Sequence, residues 1–202
     1  MELSGKVAFV TGGGNGMGRG YCLGLSGAGA SVVVTDINLE AAESVAEDIR
    51  RAGGVALAAR CDVGSQSDID AAVAAASDAY GGVDILVNNA GLHLTKWTGP
   101  FASFTADELR ALFDVNVMGV IAMTMACRPA MTQRGGGVIV NIASTSGYLS
   151  TTPYGVTKLA VRGLTVALAK ELGSSNIRVN GIAPGIIYTD SALAQLGEEG
   201  LA

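Results

Sequence analysis

The 202-residue sequence contains little positive charge and a single histidine. Eighteen acidic against thirteen basic residues leave a net charge of −5, which opposes non-specific attraction to nucleic acid or anionic lipid. With His93 alone, a multi-histidine metal site cannot form, and a Ser-His-Asp triad would have to use that residue. We therefore expect no nucleic-acid partner, no metal and no triad hydrolase.

Cysteines and long apolar runs are also scarce. Cys22, Cys61 and Cys127 lie far apart without Cys-x-x-Cys spacing, which is typical of reduced core residues. The mean hydropathy is +0.40, but the longest apolar stretches are strand-sized or are broken by Asn116, Arg128 or glycine, so we expect no membrane span. The N-terminus lacks the basic and apolar segments of a secretory signal, which favours the cytoplasm.

Glycine is abundant, at 29 residues, whereas proline is limited to four. Short β-branched runs alternate with longer segments of helical period, and most helical segments end near a glycine. Strands are predicted at 6–11, 31–36, 55–62, 83–88, 138–143 and 178–183, and helices at 16–29, 39–52, 67–80, 105–133 and 154–172. The near-continuous apolar strands favour burial on both faces. The sequence therefore predicts one doubly wound α/β domain over residues 1–202, with a parallel sheet.

A glycine-rich segment, Thr11-Gly-Gly-Gly-Asn-Gly-Met-Gly18, follows the first predicted strand. Its glycines permit a tight turn, close approach to a pyrophosphate and packing of the next helix, although a purely structural turn would use the same residue type. Asp36 ends the second strand, where a carboxylate accepts hydrogen bonds from an adenosine ribose and repels a 2′-phosphate. Neither Asn15 nor Ile37 supplies a positive charge, so NAD is favoured over NADP. The alternative is a solvated acid at the strand end.

Tyr154 and Lys158 stand four residues apart, on one face of a predicted helix. A tyrosine with an ordinary pKa of about 10 is protonated at neutral pH. A neighbouring ammonium and a positive nicotinamide lower that pKa and fit the phenol for acid–base work. By itself, the pair also fits an ordinary helix surface.

Taken in order, these motifs resemble those of the short-chain dehydrogenase/reductase (SDR) family over residues 3–190. The further matching motifs are Asp62-Val63, Asn88-Asn-Ala-Gly91, Asn116, Ser144 and Pro184-Gly185 leading to Thr189. The resemblance implies a Rossmann fold and an enzyme that transfers hydride between NAD and a secondary alcohol or ketone. It also implies that Tyr154 is the general acid or base, that Lys158 holds the nicotinamide ribose and lowers the phenol's pKa, and that Ser144 binds the substrate oxygen. Asn116 would position a water for proton relay, or would only tie helices and strands together.

The same resemblance implies the cofactor contacts, of which Asp62 and Val63 would meet the adenine and Thr189 the carboxamide. The residues are Gly12, Asn15, Gly16, Met17, Gly18, Asp36, Ile37, Asp62, Val63, Asn88, Asn89, Ala90, Gly91, Tyr154, Lys158, Pro184, Gly185, Ile187 and Thr189. Of these, Asn88 fits a structural tie as well.

A loop at 92–101, with Tyr148 and Leu149, is expected to form an apolar and aromatic wall for a hydrophobic or cyclic substrate. The predicted substrate residues are His93, Ser144, Tyr148 and Tyr154; Trp97 equally fits a loop anchor. The interval from Ser144 to Tyr154 is shorter than in many relatives, which leaves Ser146 as the alternative serine.

Only thirteen residues follow Thr189, including a short amphipathic piece at 191–196, so we expect a truncated C-terminal end. Apolar residues beyond one sheet-facing stripe, among them Met118, Met123 and Met125, predict a homodimer or homotetramer through helices 105–133 and 154–172. Two rivals stay open. A methyltransferase explains the glycines and Asp36 but has no use for Tyr154 and Lys158, and a truncated relative could bind NAD with poor activity or a regulatory role.

Overall fold

The computed structural model describes residues 2–93, 95–149 and 152–189 of the protein. Within them, six strands form one parallel sheet in the order β3-β2-β1-β4-β5-β6. The strands are β1 (Val7–Thr11), β2 (Ser31–Asp36), β3 (Ala56–Arg60), β4 (Ile85–Asn88), β5 (Gly137–Ile142) and β6 (Ile177–Ile182). The strand order reverses between β1 and β4, so the predicted doubly wound, Rossmann-type fold is confirmed.

Helices connect the strands and cover both faces of the sheet. They are α1 (Gly16–Gly27), α2 (Leu39–Arg51), α3 (Gln66–Tyr80), α4 (Ala106–Phe113), α5 (Gly119–Gln133), α6 (Ser146–Leu149) and α7 (Pro153–Leu172). Short 3₁₀ turns lie at Thr95–Thr98, Phe101–Ser103 and Gly173–Ser175. Thr105 and Glu108 form a reciprocal capping box at the start of α4, as their spacing predicts.

Two layers of apolar side chains explain why the strands are continuously hydrophobic. Phe9 and Leu86 face one layer, which includes Met123 of α5. Val10 and Val34 face the other layer, which includes helix α2. All of these side chains are buried, so each face of the central strands is covered.

The segment predicted as one helix at 105–133 is interrupted by a π-helical turn at Asp114–Met118. The extra residue in this turn accompanies the inward orientation of Asn116, which is buried and hydrogen-bonded across the fold. The helical stretch Ala106–Gln133 is long and apolar enough to cross a membrane by length and composition alone. About a third of that stretch's most apolar window is buried in the fold, with Met123, Cys127 and Met131 among the core residues.

Other differences from the sequence expectations are local. Strand β3 ends at Arg60, so Cys61 and Asp62 leave the sheet and enter the following turn. Helix α6 and the 3₁₀ turns are too short to give a periodic signal and were not predicted. The amphipathic piece at 191–196 lies outside the described residues.

Candidate active site

A cleft of about 530 Å³ opens at the carboxyl ends of the strands, and its lining spans the crossover from β1 to β4. Open α/β sheets bind ligands at this place because the chain leaves neighbouring strands in opposite directions. Every predicted cofactor residue lines the cleft except Asn88, and the predicted substrate residues His93, Ser144 and Tyr154 line it too.

The glycine-rich turn is built by close backbone contacts. Gly12 and Gly16 have φ of +62° and +51°, a region that favours glycine. A Cβ on Gly18 would overlap the carbonyl oxygen of Gly12 and would lie 2.7 Å from the Asn89 Nδ2 atom. Asn89 Nδ2 donates to the carbonyls of Thr11 and Gly12, both at 3.0 Å, and so fixes the turn to the end of β4. Sequence reasoning gave Asn89 a cofactor contact but missed this bracing role.

The N-terminus of α1 suits an anion. Asn15 caps it without a side-chain hydrogen bond, and the first turn carries no acidic residue. Because the first amides of a helix lack partners within the helix and carry its positive dipole, they favour a phosphate. With the glycine cradle beside it, this end of the cleft fits the pyrophosphate of a dinucleotide.

Asp36 both braces the turn and faces the cleft. Its Oδ2 atom accepts from the Gly14 N–H at 3.0 Å, and its Oδ1 atom accepts from the Asn38 N–H at 3.0 Å. A carboxylate has about four lone-pair sites. Both oxygens of Asp36 therefore keep capacity for the hydroxyls of a ribose.

Tyr154 and Lys158 project from the start of α7, where Thr152 accepts a capping hydrogen bond from the Gly155 N–H. Lys158 Nζ lies 5.7 Å from the centroid of the Tyr154 ring and donates to the Ile142 carbonyl at 2.8 Å. Ser144 shares a hydrogen bond with Tyr154. Ser146 also lines the cleft, but its backbone N–H donates to the Ser144 hydroxyl at 3.1 Å. The geometry therefore favours Ser144 as the serine that works with Tyr154.

Burial shifts the pKa values of both Tyr154 and Lys158. Burial raises the pKa of Tyr154 above its ordinary value, and the hydrogen bond with Ser144 only partly opposes it. Burial also lowers the pKa of Lys158 to about 8. In the protein alone, burial is the larger influence on the pKa of the phenol, and the Lys158 ammonium is directed to a backbone carbonyl; a lowering of that pKa by Lys158 together with a bound nicotinamide stays a prediction.

Lys158 should make stability depend on pH. Its folded pKa of about 8 lies below the unfolded value of about 10.4, so the unfolded chain binds more protons between these limits and folding gains stability as pH rises. Relative to Lys158→Met, the wild type is expected to gain up to about 3 kcal/mol of unfolding free energy from pH 8 to 10.5. Urea unfolding of the wild type and of Lys158→Met measures the difference between their unfolding free energies at each pH. Tyrosines and cysteines titrate in both proteins, so their contributions cancel in this difference. Lys170→Met, an exposed change on the same helix, is the control, and parallel curves for wild type and Lys158→Met would refute the assignment.

Asn116 makes three hydrogen bonds that tie elements of the fold together, which use both Nδ2 protons and one of the two lone pairs of Oδ1. Its Nδ2 atom donates to the Leu92 carbonyl at 2.9 Å and to the Thr157 hydroxyl at 3.1 Å, while its Oδ1 atom accepts from the Leu92 N–H at 2.7 Å. Asn116 is buried and is not among the residues that line the cleft. The geometry shows the tying role, and a water-positioning role stays a prediction.

Asn88 likewise joins elements below the cleft. Its Nδ2 atom donates to Asn141 Oδ1 at 2.9 Å and to the Thr124 hydroxyl at 3.3 Å. These contacts fix β4 to β5 and α5, which explains why Asn88 does not reach the cleft lining.

The expected aromatic wall is not assembled as predicted. Trp97 is buried and stacks on Phe104 at 5.5 Å between ring centroids, so it anchors its own loop. Tyr148 does not line the cleft, because its ring packs against the Arg162 guanidinium at 3.4 Å and stays 60% exposed. His93 does line the cleft, where desolvation and then the charge of Lys158 lower the pKa of its ring. The Leu149 side chain lies outside the described part of the structure.

No group of three or more His, Cys, Asp or Glu side chains that could hold a metal occurs among the described residues. The three cysteines are free and buried, and burial raises the pKa of each thiol to about 12.

Comparison with known proteins gives a consistent result. The family model described as short chain dehydrogenase matches residues 6–199. The 7alpha-hydroxysteroid dehydrogenase of Escherichia coli (strain K12) is 42% identical over 194 residues, which are 95% of this chain and 74% of that protein. The 5-keto-D-gluconate 5-reductase of the same strain is 36% identical over 98% of this chain and 78% of its own length. A solved structure of a 7 alpha-hydroxysteroid dehydrogenase, complexed with NADH and 7-oxo glycochenodeoxycholic acid, superposes with a TM-score of 0.91 at 39% identity, covering 98% of this chain and 77% of that one.

Proposed function

Because the chain belongs to the short-chain dehydrogenase family, we propose that it is an oxidoreductase that uses NAD to interconvert a secondary alcohol and its ketone. One observation carries the proposal. A phenol, a buried ammonium and a serine hydroxyl converge in the same cleft as a glycine turn and a strand-end carboxylate. A methyltransferase would need the glycine turn and the carboxylate, but it would not need the phenol, the ammonium or the serine hydroxyl.

The bound nicotinamide supplies the hydride acceptor or donor. In ketone reduction, the Tyr154 hydroxyl donates a proton to the substrate oxygen, and in alcohol oxidation the phenolate removes it. Ser144 donates a hydrogen bond that fixes the same oxygen, and the Lys158 ammonium holds the ribose hydroxyls. These roles rest on the family resemblance together with the geometry around Tyr154.

We infer a preference for NAD from the charge at the second strand. A 2′-phosphate would meet the Asp36 carboxylate, and Lys158 is the one lysine or arginine among the described residues that line the cleft. Its ammonium lies 5.7 Å from the centroid of the Tyr154 ring, where we assign it to the ribose next to the nicotinamide and not to the 2′-phosphate. The similar solved structure with bound NADH supports the same preference.

For the substrate, we infer a hydrophobic cyclic ketone or alcohol. Leu92, Val115 and Ile186 supply apolar surface in the cleft. The polar side chains on this side of the cleft include His93, Thr98, Thr145 and Ser146. Such a surface suits a fused-ring alcohol better than a polyol, which needs many hydrogen-bond partners. Ketosteroids are therefore the first class to assay, before keto sugar acids.

The cofactor claim is tested by parallel titrations with NADH and NADPH, followed by nicotinamide fluorescence. The wild type is expected to bind NADH at least about tenfold more tightly, which corresponds to about 1.4 kcal/mol. Asp36→Asn removes the charge but keeps an oxygen that can accept from the Gly14 N–H. It should therefore reduce the ratio of the NADPH to the NADH dissociation constant without breaking the turn. Glu40→Gln, an exposed change on nearby α2, is the matched control.

Equal affinity for the two nucleotides in the wild type would contradict the preference for NAD. NADH binding without turnover of any alcohol or ketone would instead favour the poorly active, cofactor-binding relative.

We also propose a homodimer or homotetramer. Met118, Leu159 of α7 and Val166 of α7 are apolar side chains that are each more than half exposed. Contact with a second subunit would remove their apolar surface from water, which favours association. Met123 faces the core instead, so it does not contribute. Sedimentation as a single-chain species at micromolar concentration would contradict this assembly. For location we propose the cytoplasm, where free buried cysteines such as these stay reduced.

A further inference from the structure

Helix α6 lies directly on the backbone of α7. A Cβ on Gly147 would stand 2.8 Å from the carbonyl carbon of Lys158 and 2.9 Å from the amide nitrogen of Leu159. Only a glycine permits such an approach without a shift of one helix. Because α6 has only four residues, it cannot persist by itself and depends on this contact with α7.

Arg162, one turn beyond Lys158 on α7, holds α6 in two ways. Its Nη1 atom donates to the Gly147 carbonyl at 3.3 Å, and its Cζ atom lies 3.4 Å from the centroid of the Tyr148 ring. A planar guanidinium can stack on an aromatic ring and donate at its edge at the same time, which a lysine ammonium cannot do. Two contacts on consecutive residues fix both the position and the rotation of α6.

Helix α6 in turn holds the segment that carries Ser144. The Gly147 N–H donates to the Ser144 carbonyl at 3.0 Å, and the Ser146 N–H donates to the Ser144 hydroxyl oxygen at 3.1 Å. The remaining proton of that hydroxyl and its second lone pair are left for Tyr154 and a substrate oxygen. Displacement of α6 would therefore move the Ser144 hydroxyl relative to the phenol.

We propose that Arg162 is a positioning residue, which fixes Ser144 against Tyr154 by clamping Gly147 and Tyr148 onto α7. The clamp itself stands on these contacts, whereas its effect on turnover rests on the function proposed above. Arg162 does not line the cleft, so it acts through Ser144 and not on the substrate.

The test compares Arg162→Met, which keeps much of the apolar stem, with Arg162→Lys, which keeps the charge but not the planar stack. With a ketosteroid or its alcohol, Arg162→Met is expected to lower kcat/KM about tenfold, and Arg162→Lys to recover only part of the loss. The dissociation constant of NADH should stay unchanged in both variants, because the glycine turn and Asp36 are untouched. Lys170→Met on the same helix is the control and should match the wild type.

A pH profile separates positioning from general damage. The hydrogen bond with Ser144 lowers the pKa of Tyr154, so loss of that bond should move the rising limb of kcat/KM for alcohol oxidation to higher pH. Lys158 Nζ lies 5.7 Å from the centroid of the Tyr154 ring, and the charge of Lys158 influences His93 in turn; we expect both side chains to keep their surroundings in Arg162→Met. Tyr148→Ala should shift the rising limb in the same direction. The double variant Arg162→Met/Tyr148→Ala should show little further shift beyond either single variant.

Hydrogen exchange at the Ser146, Gly147 and Tyr148 amides gives a readout that needs no activity. These amides should exchange faster in Arg162→Met than in the wild type, while the rest of α7 is unchanged. Exchange rates at these amides in Arg162→Met equal to those of the wild type would overturn the proposal. Faster exchange with unchanged kcat/KM and an unchanged position of the rising limb of the pH profile would overturn it too. A wild-type chain that turns over no substrate would contradict the proposed function, and exchange alone would then decide whether the clamp exists.

Discussion

Tyr154→Phe is expected to lower turnover by about 10²–10⁴-fold, the range typical for loss of a positioned general acid or base. The change deletes one oxygen and keeps the ring, which is partly buried beside Lys158 and Ser144. Because the glycine turn, the N-terminus of α1 and Asp36 are not altered, the dissociation constant of NADH should remain within about twofold of the wild-type value. Loss of kcat with intact cofactor affinity is the signature of an interaction made in the transition state.

Steady-state kinetics with a ketosteroid measure kcat, and a fluorescence titration with NADH measures its dissociation constant. Tyr80→Phe provides a matched deletion of a phenol oxygen at the C-terminal end of α3, outside the residues that line the cleft, and should leave both unchanged. Wild-type kcat in Tyr154→Phe would remove this phenol from the mechanism.

Gly18→Ala should disrupt the cofactor cradle. The added methyl would overlap the Gly12 carbonyl oxygen and press on the Asn89 amide, so the turn or the start of α1 must move. Overpacking of this kind costs about 1–3 kcal/mol of unfolding free energy. The displaced amides at the N-terminus of α1 no longer converge on the pyrophosphate, and we expect NADH affinity to fall by about tenfold to a hundredfold.

Gly20→Ala is a strict control, because Gly20 lies on the same helix and a Cβ there would meet no atom within 4 Å. In a helix interior this change should raise the unfolding free energy by about 0.5–1 kcal/mol. Urea unfolding and NADH titration of the two variants should therefore give opposite signs of stability change. Equal NADH affinity in Gly18→Ala and Gly20→Ala would show that the turn does not contact the cofactor.

Features with a local sequence signal were predictable. The strands, the turn that ends at Gly18 and the carboxylate of Asp36 each depend on a few consecutive residues, and the fold places them as expected. The βαβ rhythm predicted a doubly wound parallel sheet, because parallel strands need helical crossovers, but the order of the six strands came only from the structure.

Features that depend on distant partners were not predictable. Asn116 bonds to Thr157, which lies 41 residues away, and Asn88 bonds to Asn141, which lies 53 residues away. Neither partner is visible from the spacing of residues near the asparagine. The π-helical turn that carries Asn116 likewise has no periodic signature, because one extra residue in a turn does not change the helical spacing of apolar residues on either side enough to be read from the sequence.

Tyr148 shows the same limit for the substrate pocket. An aromatic residue four positions after Ser144 suggested a pocket wall, but its ring packs on Arg162 from the next helix and stays exposed. The sequence alone could not show whether the Tyr148 ring would line the cleft or pack on the guanidinium of Arg162, fourteen residues later. Trp97 posed an equal choice, which its stacking on Phe104 decides in favour of a loop anchor.

Direct hydride transfer is the central claim, and deuterium labelling tests it most directly. The protein is mixed with a panel of ketosteroids and NADH that carries deuterium at both C4 positions of the nicotinamide, and the alcohol product is analysed by mass spectrometry and NMR. We expect one deuterium on the carbinol carbon for each NADH consumed, and no labelled product with Tyr154→Phe on the same timescale. NADH consumption without deuterium at that carbon, or NADH binding with no reduction of any ketone in the panel or of a keto sugar acid, would contradict the account.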